Sequence, residues 1–316
     1  MAGIYFCGEV VADFLEQTQG SGNFRFFLGG SHFNGAIGAA RAVKREGLDD
    51  KIKVGFIGPI SQDMFGQRFY AALQENGIVT DFVTRVPLNT TLAVVSTCPG
   101  KENDFSFYST ETAAQVTGTK ELPQKLRDSN DGLILFLGSI STVMSPARDD
   151  WHAFCETARN HALCCYDLNA RPSIAKDSET YREIVLQWAK ISHIMKASDA
   201  DIGWAYPDKS MEEIAKLWLE AGASLVIFTK GMHGSEAFAK GVHATATTLN
   251  LIATNTVGAG DNFNAGLGIA LAQKECFTAE AIQKLTQKDL EDILKGANEN
   301  AAYHLVSIGA KPRAST

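Results

Sequence analysis

The chain has 316 residues, 45% of them hydrophobic and 21% charged, and a formal net charge of −7. Such a length and mix suit one large globular domain or two smaller ones with a sizeable core, while the negative balance argues against nucleic acid or an anionic membrane as partner. No apolar run approaches the ~18 residues of a membrane span, the start lacks the basic and apolar regions of a signal peptide, and the six cysteines show no C-x-x-C spacing, so the chain reads as cytoplasmic and without a disulfide framework.

In chain order, residues 4–7 open as a strand, 34–46 form a helix stopped by Gly47, and 53–57 are the next strand. Asp63 caps a helix with Phe65, Phe69 and Leu73 on one face, closed by Gly77. Residues 133–137 are a strand, and Ser145-Pro146 starts a helix with proline at its first position. Strands follow at 163–166 and 191–195 around a helix at 180–190. Ser210 and Glu213 make a capping box for a helix that ends near Gly222, and 225–228 is a strand. This alternation predicts an α/β fold with a mainly parallel, doubly wound sheet in three layers and ligands at the strand C-termini. Two segments break it: the short aromatic run 24–28, and a hairpin-like pair, 91–96 and 105–108, flanking a turn at 98–104.

The most informative segment is Asn255-Thr-Val-Gly258-Ala259-Gly260-Asp261, followed by a helical pattern carrying Phe263, Leu267, Ala270 and Leu271 on one face. The helix should begin inside Gly258-Ala259-Gly260, where unpaired N–H groups and the macrodipole favour an anion. An acid that merely steadies its helix explains Asp261 but not the Gly-Ala-Gly entry; a catalytic base beside a phosphoryl cradle explains both. No G-x-x-x-x-G-K-[ST] is present, and no strand leads into G-x-G-x-x-G, so P-loop and Rossmann sites are unsupported. The seven histidines show no metal-ligand spacing.

Thr256-Val257-Gly258-Ala259-Gly260-Asp261 resembles the D-T-x-G-A-G-D signature of the ribokinase-like (phosphofructokinase-B type) carbohydrate kinases. Gly29-Gly30-Ser31-His32-Phe33-Asn34-Gly35-Ala36 resembles that family's G-G-x-x-x-N-x-A. The resemblance covers nearly the whole chain. It implies a ribokinase-like core over 1–12, 35–88 and 112–316, holding the ATP site and the base, and a small β-sheet lid over the sugar at 13–34 and 89–111. In relatives that lid often carries a dimer contact, so a homodimer through it is an expectation.

The same resemblance implies the site residue by residue. Asp13, Gly29, Gly30, Asn34, Asn169 and Arg171 would bind the sugar, with Phe107 and Tyr108 covering it from the lid. Asn34 also suits a helix N-cap, and Asp167 suits a buried pair with Arg171. Thr229, Lys230, Gly231 and Gly234 resemble the turn under the nucleotide phosphates, and Asn298 lies in a small-residue helix that borders adenine in relatives. Asp261 would take the proton of a primary hydroxyl while the N–H groups of Gly258, Ala259 and Gly260 stabilise the transferring phosphoryl group.

ATP and Mg²⁺ are the implied cofactors, with three departures from the family pattern. Its N-x-x-E, which organises Mg²⁺ and its waters, is here Ser198-Asp199-Ala200-Asp201, so Ser198 would serve the nucleotide site and Asp201 would reach the metal through water. Asn255 replaces an aspartate that helps bind K⁺ in many relatives, which predicts little K⁺ activation. Ser109 stands where fructokinases often carry a lid arginine. Segments 136–141 and 167–174 look most like bacterial fructokinases, making a free sugar, fructose, the first substrate. 2-Keto-3-deoxygluconate is the alternative, and a protein that binds sugar or nucleotide without turnover is a third reading.

Overall fold

Strands that are apolar on both faces need cover on both sides, and that requirement organises this chain. The computed structural model describes residues 1–312 apart from 19, 97–103, 176 and 254. Its strands are β1 Ala2–Cys7, β2 Val11–Glu16, β3 Phe24–Gly29, β4 Ile52–Ser61, β5 Val79–Val86, β6 Thr91–Ser96, β7 Asp104–Tyr108, β8 Gly132–Gly138, β9 Leu163–Asp167, β10 Ile194–Ser198, β11 Leu225–Thr229, β12 Ser235–Ala239 and β13 Val242–Ala246. Nine of them form one sheet in the order β13-β12-β11-β10-β9-β8-β1-β4-β5. Pairing is parallel from β11 across to β5, and only β12 and β13 run antiparallel at one edge.

Along β1 the side chains alternate between two cores. Ile4 and Phe6 join one, Tyr5 and Cys7 the other. The first core is closed by helices α1 Ser31–Arg45 and α2 Met64–Glu75, and the second by α3 Ala147–Ala158, α4 Ser178–Ile191, α5 Asp199–Ala205 and α6 Met211–Ala221. Helices α7 Ala259–Gln273 and α8 Gln287–Ser307 complete the first face. Trp151, Trp188 and Trp218 are fully buried on the second; Tyr166 of β9 stacks on Trp188 with ring centroids 4.7 Å apart. This is the three-layer α/β/α arrangement expected.

A separate four-stranded sheet, ordered β3-β2-β6-β7, forms the lid. Phe14 and Phe26 of that sheet meet Phe65 of α2, with centroids 5.8 and 5.1 Å apart, which fastens the lid to the core.

Several boundaries differ from the sequence reading. Helix α1 starts at Ser31, three residues before the start read from the sequence, and the first strand of the small sheet begins at Val11. Pro146 is the N-cap of α3 and not its first helical residue. Residues 191–195 are not one strand: α4 runs to Ile191 and β10 begins at Ile194, because a short apolar run fits a buried helix end as well as a strand. The turn expected at 98–104 lies, up to residue 103, outside the described residues, as does Cys98; five other cysteines are buried and free. Among the described residues no helix is long and apolar enough to cross a membrane.

Candidate active site

The site gathers where β1, β8, β9 and β10 end and where α1 and α7 begin. Gly258, in the left-handed region at φ 81°, is the N-cap of α7, and no side chain caps this helix start. His304 of α8 holds the neighbouring Val257 carbonyl at 2.9 Å, and a Cβ on Gly258 would lie 2.9 Å from the same ring nitrogen. The Ala259 N–H is spent on Thr256 O at 3.1 Å. It therefore drops out of the expected phosphoryl cradle, which leaves the first-turn N–H groups of Gly258, Gly260 and Asp261 without intrahelical acceptors. Gly260 is exposed, so the turn is open to a ligand.

Asp261 is half-buried in that first turn. Ser31 Oγ donates to its Oδ1 at 2.7 Å and Asn34 Nδ2 to its Oδ2 at 2.9 Å. The Asn34 amide, expected to face a sugar hydroxyl, thus also orients the carboxylate, and Ser31, which sequence reasoning passed over, shares that task. Both come from the first turn of α1, so two helix N-termini converge on one carboxylate.

The Gly-Gly pair explains how α1 and the lid meet. Gly30, at φ 93°, brings the chain so close to β2 that a Cβ would stand 2.9 Å from Val11 N. A Cβ on Gly29 would collide with the Asp13 carboxylate. The pair therefore holds Asp13 against the lid strand. Burial raises the Asp13 pKa to about 7; the Arg171 guanidinium opposes this and Asp261 reinforces it. Asp13, Arg171 and Asp261 accordingly sit within electrostatic reach of one another. Arg171 donates to Asn169 O at 3.2 Å and Ala170 O at 2.9 Å, and Asn169 takes a positive φ of 38°, a strained backbone of the kind that concentrates at functional sites. Phe107 packs inward beside Val11, Ile140 and Ile174. Tyr108 is 61% exposed; successive strand residues point to opposite faces, so of the two aromatics expected to cover the site only Phe107 faces inward.

Under the 167–171 segment lies a polar layer that the sequence did not reveal. Asp167 Oδ2 accepts from Lys196 Nζ and from Asn264 Nδ2, each at 2.7 Å. All three residues are buried. Asp201 Oδ1 accepts from Ala170 N at 2.8 Å, and its Oδ2 from Ser198 N and Oγ, both at 2.7 Å. Burial and the nearby Asp167 raise the Asp201 pKa. With both oxygens engaged, Asp201 secures the turn before Arg171, and Ser198 serves as the N-cap of α5. The oxygens without partners are Asp167 Oδ1 and Asn264 Oδ1, both buried. A hard divalent cation or its water shell is bound through such atoms. Among the described residues no three His, Cys, Asp or Glu side chains cluster as a metal cage, so most ligands would have to come from phosphate and water.

A second buried group joins residues 9, 32 and 141. Glu9 Oε2 accepts from Ser141 N at 3.3 Å and lies 3.9 Å from His32 Nδ1. A charged residue directly after an apolar strand was the only sequence signal for Glu9.

Of the residues expected to serve the nucleotide, Thr229 ends β11 and Gly231 and Gly234 bound the turn into β12. Lys230 Nζ pairs with Glu236 at 3.5 Å. Asn298 donates to Ser235 Oγ at 2.9 Å and to Ala246 O at 3.2 Å, tying α8 to the edge hairpin. Neither side chain joins the Asp261 group.

A doubly wound sheet, a separate lid and an acid in the first turn of an uncapped helix together define a small-molecule kinase of the ribokinase-like kind. The profile of the pfkB family carbohydrate kinases matches residues 1–315, and the chain belongs to that family. It is 29% identical over 291 residues to a fructokinase of Rhizobium leguminosarum bv. trifolii, covering 92% of this chain and 86% of that protein. To fructokinase-1 of Zea mays it is 28% identical over 322 residues, covering 98% and 93%. In structure it resembles the fructokinase with bound ATP from Xylella fastidiosa, with a TM-score of 0.83 at 22% identity over 98% of this chain and 93% of that one. It also resembles the fructokinase from Vibrio cholerae O395 in its fructose, ADP and calcium ion bound form, with a TM-score of 0.76 at 20% identity over 94% and 91%.

Proposed function

We propose that this carbohydrate kinase transfers the γ-phosphoryl group of ATP to a primary hydroxyl of free fructose. The observation that carries the reading is the Asp261 carboxylate, oriented by Ser31 and Asn34 beside first-turn N–H groups that no side chain caps. Names and ligands of the related fructokinases support the choice of sugar and nucleotide. Asp13 accepts hydroxyls of the sugar, Arg171 balances its charge, and Phe107 covers the site. Asp261 receives the proton of the attacking hydroxyl, and the N–H groups of Gly258, Gly260 and Asp261 take up charge on the transferring group. Thr229, Gly231 and Gly234 line the nucleotide side.

Mg²⁺ is the divalent ion we assign. It would neutralise phosphate charge when bound, with Asp167 Oδ1 and Asn264 Oδ1 as acceptors for its water shell and Asp201 holding their surroundings. Asn255 Oδ1 accepts from Val257 N at 2.9 Å, so that side chain is spent on its own turn, which supports weak dependence on K⁺. Phe24, Phe27 and Tyr108, exposed on the lid at 44%, 38% and 61%, support a homodimer contact there; sedimentation at the 34.1 kDa of one chain would remove it.

ADP release from Mg-ATP across a panel of ketoses, aldoses, sugar acids and nucleosides tests the proposal. Turnover is expected with fructose and is expected to change little when K⁺ is replaced by a bulky organic cation. Turnover confined to a sugar acid would favour 2-keto-3-deoxygluconate, and tight binding without turnover would favour a non-catalytic role.

A further inference from the structure

Lys196 is the one buried lysine or arginine among the described residues, 5% exposed. A lysine is rarely buried this completely unless paired, and its pairing here is incomplete. Asp167 Oδ2 accepts one of the three ammonium protons, at 2.7 Å. The same oxygen also accepts from Asn264 Nδ2 at 2.7 Å, so the ammonium shares the anion that balances it. On its other side Lys196 approaches the start of α7. A Cβ on Gly260 would lie 3.5 Å from Lys196 Nζ, and this is the single atom such a Cβ would meet. The Phe263 ring, one turn into α7, lies with its centroid 6.0 Å from the ammonium. The cation is thus aimed at the underside of the exposed Gly-Ala-Gly turn.

The charge balance around that turn makes the placement consequential. Asp261, Asp167 and Asp201 all lie close, and the whole chain carries −7. A nucleotide's terminal phosphate would bring further negative charge to the same place. Helix N–H groups supply only partial positive charge, about half an elementary charge at a helix start. A full charge held in a low-dielectric layer acts more strongly than one in water and needs no reorganisation as charge develops.

We propose that Lys196 is a charge-supplying residue of the phosphoryl-transfer site. From beneath Gly260 its buried ammonium stabilises negative charge developing on the transferring group, with Asp167 as the anchor that keeps it there. It acts through the turn and takes no proton from the substrate. The inference rests on the kinase reading above.

The test compares Lys196→Gln with Lys196→Arg in the full-length protein. Both can donate to Asp167, so the two differ chiefly in charge. The Gln variant is expected to lose about 100-fold in kcat, the lower end of the range for removing a preorganised electrostatic group, with the sugar KM within threefold of the parent. Binding of ADP with aluminium fluoride, a mimic of the transferring phosphoryl group, should weaken in parallel, while ADP alone binds as before. The Arg variant should keep at least a tenth of the parental kcat. Should the Gln variant not fold, Lys196→Met, which keeps Asp167 in place, carries the same expectation. A folded Gln or Met variant with kcat within threefold of the parent overturns the inference. So does parallel weakening of ADP alone and the fluoride complex, which would mark a structural pair. A parent that phosphorylates no sugar removes the kinase reading, and this inference with it.

Discussion

At the scale of single residues, charge placement decides more than residue type. Asp13 and Asp261 are both half-buried acids of one site. The Asp13 pKa is raised to about 7, mainly because burial disfavours its charged form. Because this folded-state value lies above the unfolded one, the native protein holds a proton that the unfolded chain gives up between about pH 4 and 7. Asp13 therefore stabilises the fold least above pH 7, its contribution being lost as pH rises through that window. Sugar binding should run the other way. An ionised carboxylate is a pure acceptor, so hydroxyls favour the charged form and sugar binding should expel the proton. With a value near 7, the ionised fraction grows about tenfold between pH 6 and 8. Fructose affinity measured by calorimetry should improve by about that factor, with proton release at the lower pH, and Asp13→Asn should flatten the profile. A pH-independent affinity in the parent would show that Asp13 does not face the sugar.

At the scale of elements, ends matter more than middles. Asp63 caps α2 through Gly66 N at 2.7 Å and also holds Thr90 N at 2.7 Å and Thr90 Oγ1 at 2.8 Å, just before lid strand β6. Burial alone would raise its pKa, but these donors together lower it. Its contribution is therefore complete above the unfolded value of about 3.9 and is lost as pH falls through the depressed one. Asp63→Ala should cost roughly 1–3 kcal/mol at pH 7, a cap plus a part-buried pairing, and less at pH 3. Thermal melts at both pH values check this, and equal losses at the two would contradict it. Local signals of this kind were legible in the sequence: the caps at Asp63 and Ser210, and the Gly-Ala-Gly entry to α7. The extent of β10 was not, because an apolar run at 191–195 carries no period long enough to separate a helix end from a strand. Lys196 was equally hidden, since its partner Asp167 lies 29 residues away in sequence, and Asn264, which shares that carboxylate, lies 97 residues from Asp167. A charged residue inside an apolar strand pattern was its only trace. The bond from Asn34 to Asp261 was not legible, because the motif places Asn34 at a helix start without saying that a second helix start faces it.

At the scale of the molecule, parallel strands end on the same side of a doubly wound sheet, which places the segments after β9 and β10 beside each other, while the small sheet and the Gly29-Gly30 pair bring Asp13 within electrostatic reach of Arg171 and Asp261. The central claim is that this convergence makes Asp261 a general base, beyond an acid that steadies its own helix. The two roles differ in magnitude. A helix-end acid is worth a few tenths to ~1 kcal/mol, whereas loss of a general base costs about 10²–10⁴ in rate, or roughly 3–5 kcal/mol of barrier. Asp261→Asn keeps the size of the side chain and its capacity to accept from Ser31. The direct measurement is kcat with fructose and Mg-ATP for the parent and the Asn variant, beside their melting temperatures and ATP affinities. The account predicts a loss of at least a hundredfold in kcat with melting temperature and ATP affinity nearly unchanged. A folded Asn variant that turns over fructose at close to the parental rate would contradict it.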